Sequence, residues 1–135
     1  MALINPNEPE LLNCQSIKVH TPDGTMFFNI IEDKDKPVGV TIILGKAGSS
    51  VQAWSQALAA VITLALRNNV EISIIAEEVS SITTDKVSFS NDRVIRSVPD
   101  AIAQAILIYL ANKSNNPLVL RRRRRGPSVF GEEVG

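Results

Sequence analysis

Three features of the sequence predict an α+β fold, an antiparallel β-sheet packed against a long, largely apolar helix and a second, C-terminal helix, and an oligomeric one. The stretch "SIKVHTPDGTMFFNIIED" holds two strand-like runs around Pro22-Asp23-Gly24. The run "PVGVTIILG" is apolar enough for a sheet and passes within a few residues into a helical pattern. The stretch "RSVPDAIAQAIL" opens with a helix start and continues with apolar residues at helical spacing.

Each element has a physical reason. Pro22 fixes φ, Asp23 caps through its side chain, and Gly24 admits positive φ, so the first two runs meet in a tight turn. "DKDK" ends the second run with alternating charge, as a solvated loop does. Ser49 with Gln52 three residues later is a capping-box pattern, and the helix it opens spans about 51–68. Its polar residues Gln52, Gln56, Thr63 and Arg67 fall near one stripe, while Trp54, Leu58, Val61 and Ala65 cover most of the rest. So wide an apolar surface exceeds what one small sheet hides, so a second helix or another subunit is expected on it. Asn68-Asn69 is the stop. "VEISIIAEEVSSI" alternates at first like a strand, but Ile72, Ile75, Val79 and Ile82 recur at helical spacing and predict a short helix. "KVSFSNDRVIR" reads as a strand pair around Asn91-Asp92. Ser97 as cap, Pro99 in the first turn and Asp100 three residues after the cap start the last helix, which runs to about Asn112.

The 135 residues suffice for one domain with a real core, and scarce aromatics, 4%, leave that core to Ile, Val, Leu and Ala. The expected organisation is a loose arm over 1–14, the α+β domain over 15–112, and an arginine-rich arm over 113–135. Residues 121–125 supply five of the fourteen basic residues; up to Leu120, nine basic residues stand against twelve acidic ones, a balance of −3. A broad nucleic-acid-binding face on the body is not expected; contact through the tail alone remains open. The single cysteine, Cys14, allows no internal disulfide. The start "MALINPNEPELL" lacks the basic and apolar parts of a signal peptide, and no apolar run reaches the roughly 18 residues that cross a bilayer. A cytoplasmic protein without membrane contact is expected.

Two places can take an anion. The loop Gly45-Lys46-Ala47-Gly48-Ser49 is not a nucleotide-triphosphate P-loop, because two residues rather than four separate its glycines and the lysine comes early. Backbone N–H groups at a helix start still favour an anion, and Lys46, Gly48, Ser49 and Ser50 are its candidate donors. A plain glycine turn with an N-cap is the alternative. Arg93 and Arg96 flank the second helix start at Ser97 and can hold a phosphate or serve as surface ion pairs. Phe89 can stack on a base or belong to the core. Arg121, Arg123 and Arg125 complete the candidate ligand contacts. His20 is the only histidine and Cys14 the only cysteine, so those ligands assemble no zinc cluster within one chain, and a serine triad would have to use His20, which sits beside a turn in a strand-like segment with no companion signal. No catalysis, metal or cofactor is expected.

"GKAGSSVQAWSQALAAVITLALRNNV", the short amphipathic segment after it, and "RSVPDAIAQAIL" resemble the TSCPD-domain family over about residues 24–110. That family is known as a C-terminal piece of B12-dependent ribonucleotide reductases and as small free-standing proteins, including phage-encoded ones. Ser97, Pro99 and Asp100 keep the family's tetrad, and Val98 stands where the family has cysteine, so no thiol or metal role carries over there. The catalytic barrel of the reductase is missing, so the resemblance implies no reductase activity. The functional expectation is a non-catalytic, oligomeric binder of a small phosphorylated ligand such as a nucleotide, in its sharpest form a phage-type sponge for a cyclic nucleotide. The alternatives are an accessory domain that partners ribonucleotide reductase and nucleic-acid binding through the arginine tail.

Overall fold

The computed structural model describes residues 10–114. Most of the N-terminal arm, and Arg121, Arg123 and Arg125, therefore lie outside the described residues. The elements in order are β1 (Asn13–Thr21), β2 (Gly24–Asp33), β3 (Lys36–Leu44), α1 (Ser50–Arg67), α2 (Ile72–Val79), β4 (Ser88–Ser90), β5 (Arg93–Ile95) and α3 (Val98–Ser114). The first three strands form an antiparallel sheet in the order β1-β2-β3, and β4 with β5 forms a separate hairpin. The fold is α+β, as the sequence predicts. β1 begins two residues inside the segment read as an arm, and α3 runs two residues past Asn112.

Both sheet turns follow from backbone chemistry. Thr21 pairs with Gly24 across the first turn, and the Thr21 hydroxyl donates to the Gly24 carbonyl at 2.7 Å while accepting from Asp23 N–H at 3.1 Å. Gly24 has φ of 122°, which side chains rarely adopt. At the second turn Asp33 pairs with Lys36, so Lys34 and Asp35 form a two-residue hairpin loop, both at positive φ.

Strand alternation sorts the sheet into two faces. Met26, Phe28 and Ile30 of β2 are wholly buried, whereas Phe27 between them is 38% exposed. The inward face meets α3, whose Ala101, Ile102, Ala103, Ala105 and Ile106 are all fully buried. A helix covered on so many sides is the centre of the core. α2 packs on α3 and carries Ile72, Ile75 and Ala76 into the same cluster.

α1 lies along β3. Its polar stripe does not all face water. Thr63 Oγ1 accepts from Val40 N–H at 3.0 Å and donates to the Val40 carbonyl at 3.2 Å. Gln52 Oε1 accepts from Leu44 N–H at 2.9 Å, and its amide donates to the Ile42 carbonyl at 3.4 Å. These side chains satisfy the free edge of β3, a role that buried backbone groups require of some partner. Ser55, Ala59, Ile62 and Leu66 face the core, and the side left bare carries Trp54, Val61 and Leu64. Among the described residues no helix is long and apolar enough to cross a membrane.

Candidate functional site

The β3–α1 loop brings Lys46, Gly48, Ser49 and Ser50 together. Gly45 and Gly48 both adopt positive φ, 81° and 84°, and the loop folds back so that Ser49 N–H donates to the Lys46 carbonyl at 3.0 Å. A Cβ at Gly45 would stand 3.2 Å from Ser49 Oγ, so a side chain there would also crowd the cap. Ser49 caps α1 through Gln52 N–H at 3.2 Å. The reciprocal half of the expected capping box is missing, because the Gln52 side chain is engaged on the edge of β3. Lys46, Gly48 and Ser50 are exposed, and no acidic residue stands in the first turn of α1. Beside the loop is a shallow cleft of about 290 Å³ lined by Ile43, Gly45, Ala47, Gly48, Gln52 and Gln56. Such a helix start keeps its partial positive charge available.

The start of α3 is built differently. Ser97 Oγ accepts from Asp100 N–H at 3.0 Å and donates to the Ile82 carbonyl, so one hydroxyl caps the helix and pins the loop after α2. Asp100 accepts from Arg96 N–H at 2.9 Å and from the Gln104 amide at 3.2 Å. Gln104 also donates to the Val94 carbonyl at 3.0 Å and accepts from an Arg93 guanidinium nitrogen at 3.2 Å. Ser97, Asp100, Gln104 and Arg93 are all buried. A buried guanidinium held by an amide, above a helix start already filled by a carboxylate, has its charge engaged inside the fold. Arg96 is exposed, and Phe89 is 68% exposed, so the core alternative for Phe89 does not apply.

The two groups emerge at the same end of the sheet from opposite sides. Leu44, ahead of the Lys46 loop, is next to Met26, which pairs with Val19; β4 reaches the adjoining His20 through Ser88 Oγ to the His20 carbonyl at 2.8 Å and His20 N–H to Ser90 Oγ at 3.1 Å. β1 and β3 are two strand spacings, about 10 Å, apart.

One polar cluster has no counterpart in the sequence reading. Glu32 on β2 is buried and accepts from the Tyr109 hydroxyl of α3, with Lys113 Nζ 3.0 Å from the same carboxylate. The Tyr109 hydrogen bond holds the Glu32 carboxyl below its usual range against the opposing effect of burial, and Lys113 adds to the lowering. Burial first, then Glu32, pushes the Tyr109 hydroxyl well above its usual value. The signal was available: Glu32 continues the inward parity of Met26, Phe28 and Ile30. Among the described residues no three His, Cys, Asp or Glu side chains gather in a metal-holding group.

Comparison with curated proteins and with solved structures gave no significant match. The TSCPD-domain family model matches residues 5–110, a span that starts upstream of the 24–110 resemblance and takes in all of β1. The Ser97-Val98-Pro99-Asp100 tetrad on which that resemblance turns is, in this fold, the cap and anchor of the central helix, and the chain belongs to the TSCPD-domain family.

Proposed function

We propose that this chain is a non-catalytic binder of a small phosphorylated ligand, a nucleotide in the simplest case, with loop 45–50 receiving the phosphate. The observation that carries this reading is the contrast between the two helix starts. At α3 the cap, a carboxylate and a buried arginine close the site; at α1 an exposed lysine and an exposed serine flank a first turn without acids. The adjoining cleft has Ile43 and Ala47 as apolar surface and Gln56 as a polar group, which suits a base or sugar next to a phosphate. Sequestration of a cyclic nucleotide, as a phage-type sponge would perform, is the sharpest form of the reading.

Titration calorimetry with orthophosphate and a panel of mono-, di- and cyclic nucleotides tests it, followed by mass spectrometry of ligand recovered after denaturation. One nucleotide is expected to bind at micromolar or lower Kd and to be recovered intact. Lys46→Ala removes a charge-assisted contact of about 1.5–3 kcal/mol and weakens binding at least ~10-fold without lowering Tm. No binding below ~100 µM, or recovery of a cleaved product, refutes the proposal. Truncation after Ser114 reads out the share of Arg121, Arg123 and Arg125. Family membership supports a second reading, an accessory domain for ribonucleotide reductase, for which retention of a reductase on the immobilised chain is the test.

A further inference from the structure

We propose, independently of any ligand, that the bare side of α1 is the contact surface for a second copy of this chain, the two α1 helices packing antiparallel. Trp54, Ala57, Val61 and Leu64 are spaced three, four and three residues apart, the seam of an antiparallel helix pair. Val61 and Leu64 are 62% and 61% exposed and Trp54 is 40% exposed, although the side chains on the opposite side of the helix are buried in the core. From Ser50 to Leu66 there is no charged residue. A helix side meant for water carries charges, so this one is built for an apolar neighbour.

The same surface continues off the helix. Ala60 borders a groove of about 530 Å³ whose other wall includes Ile43, itself 53% exposed and paired with Phe27. Seam and groove wall together leave on the order of 500 Å² of apolar surface, in the upper part of the range of the largest patch on a monomer, which is often functional. A standard interface takes about 800 Å² from each partner, which this patch with its polar rim approaches.

Three occupants compete, and the observations favour one. A membrane surface selects helices with several Lys and Arg beside the apolar side, whereas α1 has a single basic residue, Arg67, in its last turn. Beyond Ser114 the first apolar run of the sequence, Leu118-Val119-Leu120, can span at most about 10 Å before the five arginines begin. Trp54 to Leu64 covers about 15 Å of helix. A second copy fits both length and chemistry. About a two-fold axis near Ala59, Trp54 lies opposite the other helix's Leu64 and Ala57 opposite its Val61, while the small Ala57 and Ala60 at the centre allow close approach. Antiparallel pairing also opposes the two helix dipoles favourably.

Light scattering of the full chain from ~1 to ~100 µM is the test, with variants at exposed positions that leave the core intact. The expected mass is twice the 14.7 kDa of one chain, or an even multiple of it. Leu64→Glu should halve the mass with an unchanged far-UV spectrum. Adding Trp54→Lys should restore assembly, because antiparallel pairing sets each lysine against a glutamate. A monomer at ~100 µM overturns the proposal, whether or not removing residues 115–135 then red-shifts Trp54 emission, the sign of tail cover. A mass indifferent to Leu64→Glu overturns the seam, and failure of the double variant to reassemble overturns the antiparallel pairing.

Discussion

Replacing Tyr109 with phenylalanine removes a single oxygen from the core and tests the buried Glu32 cluster. The ring keeps its packing, so no cavity forms, but the Glu32 carboxylate loses the hydroxyl that donates to it and keeps Lys113 at 3.0 Å. A hydrogen bond to a charged group contributes about 1.5–3 kcal/mol. At about 4 °C per kcal/mol for a folded body of this size, Tm should fall by roughly 6–12 °C at pH 7. The loss should depend on pH in a defined direction. Glu32 is held lower in the folded chain than in the unfolded one, where a glutamate titrates near ~4.3. The folded state therefore binds fewer protons, and the stabilisation is complete above the unfolded value and disappears as pH falls through the folded one. Urea unfolding of both proteins between pH 7 and pH 3 measures this. The stability gap should be widest at neutral pH and close on acidification. A gap below ~0.5 kcal/mol at pH 7, or one that stays constant to pH 3, would show that Glu32 is not held by Tyr109.

Two more outcomes follow from the start of α3. Ser97→Ala loses both the cap to Asp100 N–H and the tie to Ile82, and should cost about 1–2 kcal/mol and 4–8 °C of Tm in differential scanning calorimetry; a change within 1 °C contradicts the capping role. Val98→Cys, made with Cys14→Ser, restores the family's cysteine at a side chain only 1% exposed. It should fold, with a loss of about 1 kcal/mol, and its thiol should react with Ellman's reagent only after denaturation; fast reaction in the native protein would mean that this helix start opens.

Much of this architecture was legible because local chemistry dictates it. Pro22-Asp23-Gly24 can hardly do anything but turn, and the Ser97-to-Asp100 spacing forces a helix start whatever surrounds it. What stayed hidden was direction. Periodicity groups Gln52 and Thr63 on one stripe without saying that the stripe meets a strand edge, where amide and hydroxyl groups are needed as much as they are in water. The same ambiguity covered Arg93: a guanidinium beside a helix start reads as a ligand contact until Gln104, eleven residues on, is seen to hold it inside. It also makes Ala59→Arg, an obvious choice for breaking an interface, a core-disrupting change instead, since Ala59 points inward.

The hydrogen bonds from Thr63 and Gln52 to β3 have a consequence for how the chain survives its own synthesis. β3 carries "VTIIL", five β-prone residues without charge or proline, at the border of a three-stranded sheet. Left open, such a border recruits a strand from the next molecule. α1 follows it immediately in the chain and occupies Val40, Ile42 and Leu44 with side chains, which cannot propagate a ladder. The helix is thus a guard against amyloid-like stacking, made within some twenty residues of the segment it protects. Its worth would show in aggregation lag times and inclusion-body yield more than in equilibrium stability.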